Sequence, residues 1–290
     1  MKPAAFAYHR PRTLDEALAL LTAHGEDARP LAGGQSLVPM MNTRLARPAH
    51  LIDLNDLGEL DFIRERGDTV EIGALTRHRA VERSRALVDA CPILPAVVKT
   101  IGHHAIRERG TVGGSLALAD PAAQWPLLAI LLGARIELAG PRGRRALAAA
   151  AFFKGVFTTA AAPDELVSAV SFPRLARGEG WGYRALTRRH GDFAIVAAAA
   201  TATLDASGNI DGLRLALAGG GDPPARAEAV TALRGRAPDA TTLAELGRLA
   251  AAAAAPRDDA VASAAFRSEL IEVLSARAVT DACERARATQ

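Results

Sequence analysis

Leu31-Ala32-Gly33-Gly34-Gln35-Ser36-Leu37 decides the reading of this 290-residue chain, because Thr111-Val112-Gly113-Gly114-Ser115-Leu116 repeats its pattern further on. Each glycine pair follows small or β-branched residues and precedes a polar side chain and then a hydrophobic one. Glycine has no Cβ, so it takes φ > 0 and lets a ligand come up to the backbone. Consecutive N–H groups in such a turn form a concavity suited to phosphate. One turn seats one phosphate. Two opposed turns would grip a pyrophosphate, which points to a dinucleotide.

Outward from the first pair, Thr13-Leu14-Asp15-Glu16 has the form of a capping box. Leu14, Leu18 and Leu21 follow on one helical face, and Gly25 supplies the stop. His50 to Leu54 reads as a short buried strand. Residues up to about 55 are therefore expected to form a small α/β unit whose glycine turn follows a strand. Phe62 to Arg64 and Thr69 to Gly73 flank a polar tip and predict a β-hairpin. Thr76 is expected to cap a helix running through Val81, with another helix over Pro92 to Thr100. Asp120-Pro121 has the form of an N-cap followed by proline at the first helical position. Pro126 is expected to end that segment, with a helix restarting there and running to Gly133. Arg135 to Leu138 and Arg145 to Leu147 predict strands around a Gly140-to-Gly143 turn, and Leu166 to Phe172 a further strand. A domain boundary is expected in Leu175 to Gly180. Beyond it, Trp181–Leu186, Phe193–Leu204 and Leu213–Ala218 predict a three-stranded antiparallel sheet. Helical segments near Ala225–Leu233, Leu243–Ala254 and Phe266–Arg287 complete an α+β tail.

Composition narrows the function classes. The chain is 49% hydrophobic and 23% charged, which is globular. With 35 basic and 32 acidic residues it carries only +3, so no nucleic-acid footprint stands out. The N-terminal residues lack a long apolar signal region, and no apolar run reaches the roughly 20 residues of a membrane span. The expectation is a cytoplasmic protein. Two cysteines, Cys91 and Cys283, are too few for an iron–sulfur cluster and have no zinc-site spacing. His103-His104 is read as no metal site, since neighbouring side chains on regular structure diverge. Redox chemistry here therefore falls to an organic cofactor. There is neither the G-x-G-x-x-G of a Rossmann unit nor a P-loop.

Three segments carry a family resemblance. Ala32 to Pro39 followed by Arg44-Leu45-Ala46-Arg47-Pro48 resembles the first FAD loop of the flavoprotein subunits of molybdenum hydroxylases. Thr111 to Ser115 with Ala119-Asp120-Pro121-Ala122-Ala123 resembles their second loop. Arg189-His190-Gly191-Asp192-Phe193-Ala194 is similar to a stretch near the start of their C-terminal domain. The likeness runs essentially end to end. It implies an α+β protein: a PCMH-type (vanillyl-alcohol-oxidase-like) FAD-binding domain over 1–175, with subdomains about 1–55 and 56–175, and a C-terminal domain over 176–290. It also implies FAD contacts from Leu31, Ala32, Gly33, Gly34, Gln35, Ser36 and Leu37 in the first loop. Thr111, Gly113, Gly114 and Ser115 in the second join them, with Ile101, Asp120, Gln124, Leu166, Arg184 and Phe193. Asp120 is read both as a cap and as a cofactor-side residue.

Three positions depart from the family pattern. Ser115 stands where an asparagine is common, Gln124 where relatives often have a carboxylate, and Phe193 where a tyrosine lies near the flavin. Neither loop holds a histidine or cysteine to tether FAD, so the resemblance implies non-covalent binding. It further implies a large molybdopterin subunit that hydroxylates substrate and a small subunit with [2Fe-2S] clusters, assembled as a dimer of heterotrimers. This chain would pass their electrons through FAD to an external acceptor. No residue is assigned as a general acid or base, and no metal ligand is assigned. Two other readings stay open: a self-contained reductase like UDP-N-acetylenolpyruvoylglucosamine reductase, or a scaffold without flavin.

Overall fold

A computed structural model describes residues 2–220 and 223–289; Met1 and Gln290, the outer ends of the two expected domains, lie outside them. The chain opens with β1 (Ala7–His9), α1 (Leu14–His24), β2 (Ala28–Leu31), α2 (Leu37–Asn42) and β3 (His50–Asp53), a parallel sheet in the order β1-β3-β2. At the start of α1 the Thr13 hydroxyl accepts the Glu16 N–H at 3.2 Å, as the capping box predicts. The Glu16 carboxylate reaches back further than expected, to the Arg12 N–H at 2.7 Å. Leu14, Ala17, Leu18 and Leu21 bury against Ile52, and Gly25, at φ +49°, closes the helix with its N–H on the Leu21 carbonyl.

Next come β4 (Ile63–Arg66), β5 (Thr69–Gly73), α3 (His78–Arg83), α4 (Arg85–Ala90), α5 (Ile93–Val98), α6 (His104–Arg109), α7 (Val112–Leu118), α8 (Gln124–Leu132), β6 (Arg135–Gly140), β7 (Gly143–Ala148), α9 (Ala149–Phe152), β8 (Phe153–Gly155), β9 (Thr158–Thr159) and β10 (Leu166–Pro173). The strands make an antiparallel sheet ordered β4-β5-β10-β6-β7, with β8 and β9 as a separate hairpin. Both predicted hairpins are present, β4–β5 turning at Gly67 (φ +58°) and β6–β7 closing at Gly140–Gly143.

Two helix starts differ from expectation. Thr76 does not cap α3; its hydroxyl donates to the Phe62 carbonyl and accepts from the Phe62 N–H, stitching the end of β5 to the strand before it. The Asp120 carboxylate accepts the Ala122 N–H at 2.8 Å, a local turn and not a helix cap. The helix begins at Gln124, and Pro126 sits inside its first turn, where a missing N–H costs no hydrogen bond.

The C-terminal region holds β11 (Gly180–Thr187), β12 (Ala194–Leu204), β13 (Ile210–Ala218), β14 (Ala225–Arg226), α10 (Ala240–Ala254) and α11 (Ala264–Ala288). The three long antiparallel strands are those expected. Ala225–Leu233, read as helical, instead splits into the two-residue β14, which makes the sheet four-stranded, and a 3₁₀ turn over Glu228–Leu233. The Arg226 guanidinium explains the change: it donates to the Ile130 and Leu131 carbonyls at 2.9 and 3.1 Å, pinning this segment to the end of α8.

The alanine run in β12 follows from period-2 alternation between two cores. Ala197 and Ala199 face the core under α8, while Val196, Ala198 and Ala200 face α10 and α11. Layers press on the strand from both sides, and small side chains fit. Among the described residues no helix is long and apolar enough to cross a membrane.

Candidate functional site

Strand β2 delivers the first glycine motif. Of its two glycines, Gly34 takes the left-handed conformation at φ +71°. The Gln35 side chain donates to the Gly33 carbonyl at 3.1 Å, and the Val38 N–H to the Gly34 carbonyl at 3.1 Å. Among the described residues, the consecutive N–H groups of Gly33, Gly34, Gln35, Ser36 and Leu37 have no acceptor. They form an anion-seeking nest ahead of α2.

A polar relay holds this turn. The Asn55 side chain donates to the Ala32 carbonyl at 3.1 Å, and its backbone N–H donates to Asp53 Oδ1 at 3.0 Å. Tyr8 donates to Asp53 Oδ2 at 2.5 Å. Burial pushes the Asp53 carboxyl up, but the hydrogen bonds from Tyr8 and Asn55 outweigh it and leave the group below its ordinary range. Arg77 donates to Asn55 Oδ1 at 2.5 Å and to the Arg109 carbonyl, so one guanidinium ties the first motif to the second. Burial, and then the Arg109 charge, pull the Arg77 pKa below its usual value.

The second motif is the first turn of a helix and not a free turn. Thr111 caps α7 by accepting the Gly114 N–H at 3.1 Å, the Gly113 N–H donates to the Ala74 carbonyl at 2.8 Å, and the Val112 N–H to the Thr76 carbonyl at 3.1 Å. These amides are already used, which removes the expected symmetry between the two loops. The glycines serve close approach instead. A Cβ on Gly113 would overlap Ala74, and one on Gly33 would overlap the Arg109 carbonyl. The Ala32 methyl lies 3.8 Å from the Cβ position of Gly114. The two motifs are therefore packed against each other, with the amides of the first beside the Thr111 end of the second.

The third segment joins from the C-terminal region. Gly191, at φ +89°, lies over Gly102 and His103, with its Cβ position 3.0 Å from the His103 ring, and the His103 and His190 rings are 5.9 Å apart. Ile101 is half-buried against the main core and Phe193 is 57% exposed. Gln124 is buried, with its amide 3.4 Å from the Thr100 hydroxyl, and the Tyr183 hydroxyl bonds to both. Burial raises the Asp120 pKa, against the pull of the Ala122 N–H. Leu166 is buried with Leu75 and Ala139 in the core under the small parallel sheet. Arg184 stands apart from the loops, ion-paired with Asp281 on α11 at 2.7 Å.

Sequence reading missed Asn55, Arg77 and the Tyr8–Asp53 pair. The Asp53-x-Asn55 spacing directly after a strand was the available signal for a side-chain turn.

Residues 4–175 match the family described as FAD binding domain in molybdopterin dehydrogenase, and residues 181–282 the CO dehydrogenase flavoprotein C-terminal domain. The chain is 42% identical over 288 residues to the carbon monoxide dehydrogenase medium chain of Afipia carboxidovorans, covering 99% of this chain and 100% of that one. It resembles the carbon monoxide dehydrogenase structure from Hydrogenophaga pseudoflava that lacks the Mo-pyranopterin moiety, with a TM-score of 0.94 at 37% identity over 98% of this chain and 99% of that one. Against quinoline 2-oxidoreductase from Pseudomonas putida 86 the TM-score is 0.95 at 34% identity, over 99% of both chains.

Proposed function

The chain belongs to the family of FAD-binding subunits of molybdenum hydroxylases and is the electron-transfer subunit of such an oxidoreductase, and we propose that it clasps FAD between its two packed glycine motifs. The fold is the α+β, PCMH-type FAD fold that the family implies. One observation carries the proposal: five consecutive amides, without an acceptor among the described residues, sit on the turn that Arg77 ties to the second motif.

The residues suit the cofactor. The Gly33–Leu37 amides meet the diphosphate, and the Thr111 and Ser115 hydroxyls lie beside them as further polar contacts. Ile101 and Phe193 supply apolar surface for the ring system, and Asp120 and Gln124 flank it from the segment after α7. Leu166 supports the floor from β10, and Arg184 bears on the site only indirectly, by tying β11 to Asp281 on α11. FAD, when bound, supplies the redox chemistry: it takes electrons singly and releases them in pairs. The chain contributes binding, orientation and shielding from water, with no side chain assigned to proton transfer.

In this reading a large molybdopterin subunit and a small [2Fe-2S] subunit complete the enzyme as a dimer of heterotrimers. The domain division at 175/176 separates the FAD domain from the region that packs over it. Two buried, unpaired cysteines, Cys91 and Cys283, fit a reducing cytoplasm.

Flavin reconstitution of the full-length chain tests the proposal. Apo-protein should take up about one FAD per chain without covalent attachment, and acid should release it. Gly34→Val forces a β-branched residue into the left-handed region, and Arg77→Ala cuts the tie between the motifs. Each should weaken FAD at least tenfold while circular dichroism stays native. Wild-type protein that takes no flavin, or folded variants that bind it unchanged, would refute the clasp.

A further inference from the structure

Three histidines from separate elements meet at one end of the small parallel sheet, away from both glycine motifs in sequence. The register pairs Ala7 with His50 and His9 with Ile52, so His9 and His50 share a face of the sheet. Helix α1 lies over that face through Leu14, Leu18 and Leu21 packed with Ile52, and its last residue is His24. The His24 and His50 rings stack with centroids 3.6 Å apart, and His9 is 5.2 Å from each. His9 Nε2 and His50 Nδ1 are 2.9 Å apart. One nitrogen from each ring can be chosen so that all three lie within 4.8 Å of one another.

This is an expensive arrangement for imidazoles alone. At most one ring of the His9–His50 hydrogen bond can be protonated, since one nitrogen must accept. Among the described residues His24 has no side-chain hydrogen bond, although all three rings are only half-buried. The sequence reading assigned no metal ligand, because positions 9, 24 and 50 follow no recognised ligand spacing and converge only through the strand register.

We propose that His9, His24 and His50 form a divalent transition-metal site with the chemistry of zinc: three imidazole nitrogens and an outward-facing fourth position for water. Imidazole suits zinc, copper and nickel, and three histidines with an open position is a known zinc arrangement. Bonds of about 2.0–2.1 Å set the nitrogens roughly 3.3 Å apart, so the His9–His50 pair, at 2.9 Å, must open slightly while the His24 nitrogen closes in from within 4.8 Å. Rotation of the His24 ring about its Cβ–Cγ bond, out of the stack with His50, is the movement the site would require. The ion would clip β1, β3 and the end of α1 together, in the subdomain that presents the first glycine motif.

Metal titration of the full-length, chelator-treated chain decides the matter. Zinc by calorimetry should bind at one ion per chain with micromolar or tighter affinity and raise the melting temperature. Copper(II) in the same site should show nitrogen superhyperfine splitting from imidazoles in its EPR spectrum. His24→Ala, at a helix end where the fold tolerates it, should lower zinc affinity at least tenfold and remove that splitting. His104→Gln, on the exposed His104–Glu108 pair, should leave both unchanged. Binding only at millimolar zinc, or undiminished binding in folded His24→Ala, would overturn the site and leave three stacked neutral rings.

Discussion

At the scale of single residues, His78 shows how closely the second motif is built into the core. Its side chain is 4% exposed, its Nδ1 accepts the Trp125 indole N–H at 3.1 Å, and its ring fills the space a Cβ on Gly110 would need. Burial, with the Arg107 and Arg77 charges, lowers its pKa from 6.5 to about 3. The folded state therefore keeps His78 neutral while the unfolded chain takes up a proton below about 6.5. The stability from this group is complete above that pH and is lost progressively as pH falls toward 3. Between pH 7 and 5.5 the loss should be about 1 kcal/mol. His78→Gln, which keeps an acceptor for Trp125, should remove that increment: urea unfolding at the two pH values should show a smaller change in the variant. An identical change would mean that His78 titrates normally. Legibility at this scale follows sequence distance. The glycine pairs could be read because their pattern lies within seven residues, whereas Arg77 works through Asn55, 22 positions away, and Arg109, 32 away. No local pattern marks such a residue.

At the scale of elements, close backbone approach governs the packing of α11 on β11. Gly180 and Gly182 point the same way from the strand, and a Cβ on either would overlap the carbonyl of Ala282 or Ala278, one turn apart on the helix. Gly182→Val should cost about 1–3 kcal/mol by overpacking, more if the helix cannot shift. A fall of several degrees in melting temperature by calorimetry is expected; an unchanged transition would show that β11 and α11 are not in direct contact. The hairpins were legible because alternation and turn glycines are local signals. The start of α7 was not, since Thr-Val-Gly-Gly reads as a turn until Ala74 and Thr76 are seen to accept its amides. Asp120-Pro121 misled for a related reason: an aspartate accepts from the second residue on in a turn as readily as at a helix cap.

At the scale of the whole molecule, the C-terminal sheet is part of the architecture of the FAD domain and not an appendage. Ala194, Ala197, Ala199, Ala216 and Ala218 belong to the same core as Trp125 and α8, and Gly191 rests on His103. The Arg- and Gly-rich stretch from Leu175 to Gly180 suggested a border, but the sequence could not show that the two sides share a core, because an alanine run does not declare which faces it buries. That sharing gives the C-terminal region a way to hold the segment from Ile101 to Gln124, which the proposal sets beside FAD, in place. The central claim is that the packed glycine motifs clasp the diphosphate of FAD. A crystal structure of the full-length chain loaded with FAD tests it most directly. Diphosphate oxygens are expected within hydrogen-bonding distance, about 3 Å, of N–H groups in Gly33–Leu37, with Thr111 and Ser115 alongside. A diphosphate bound elsewhere, with those amides facing only solvent, would contradict it.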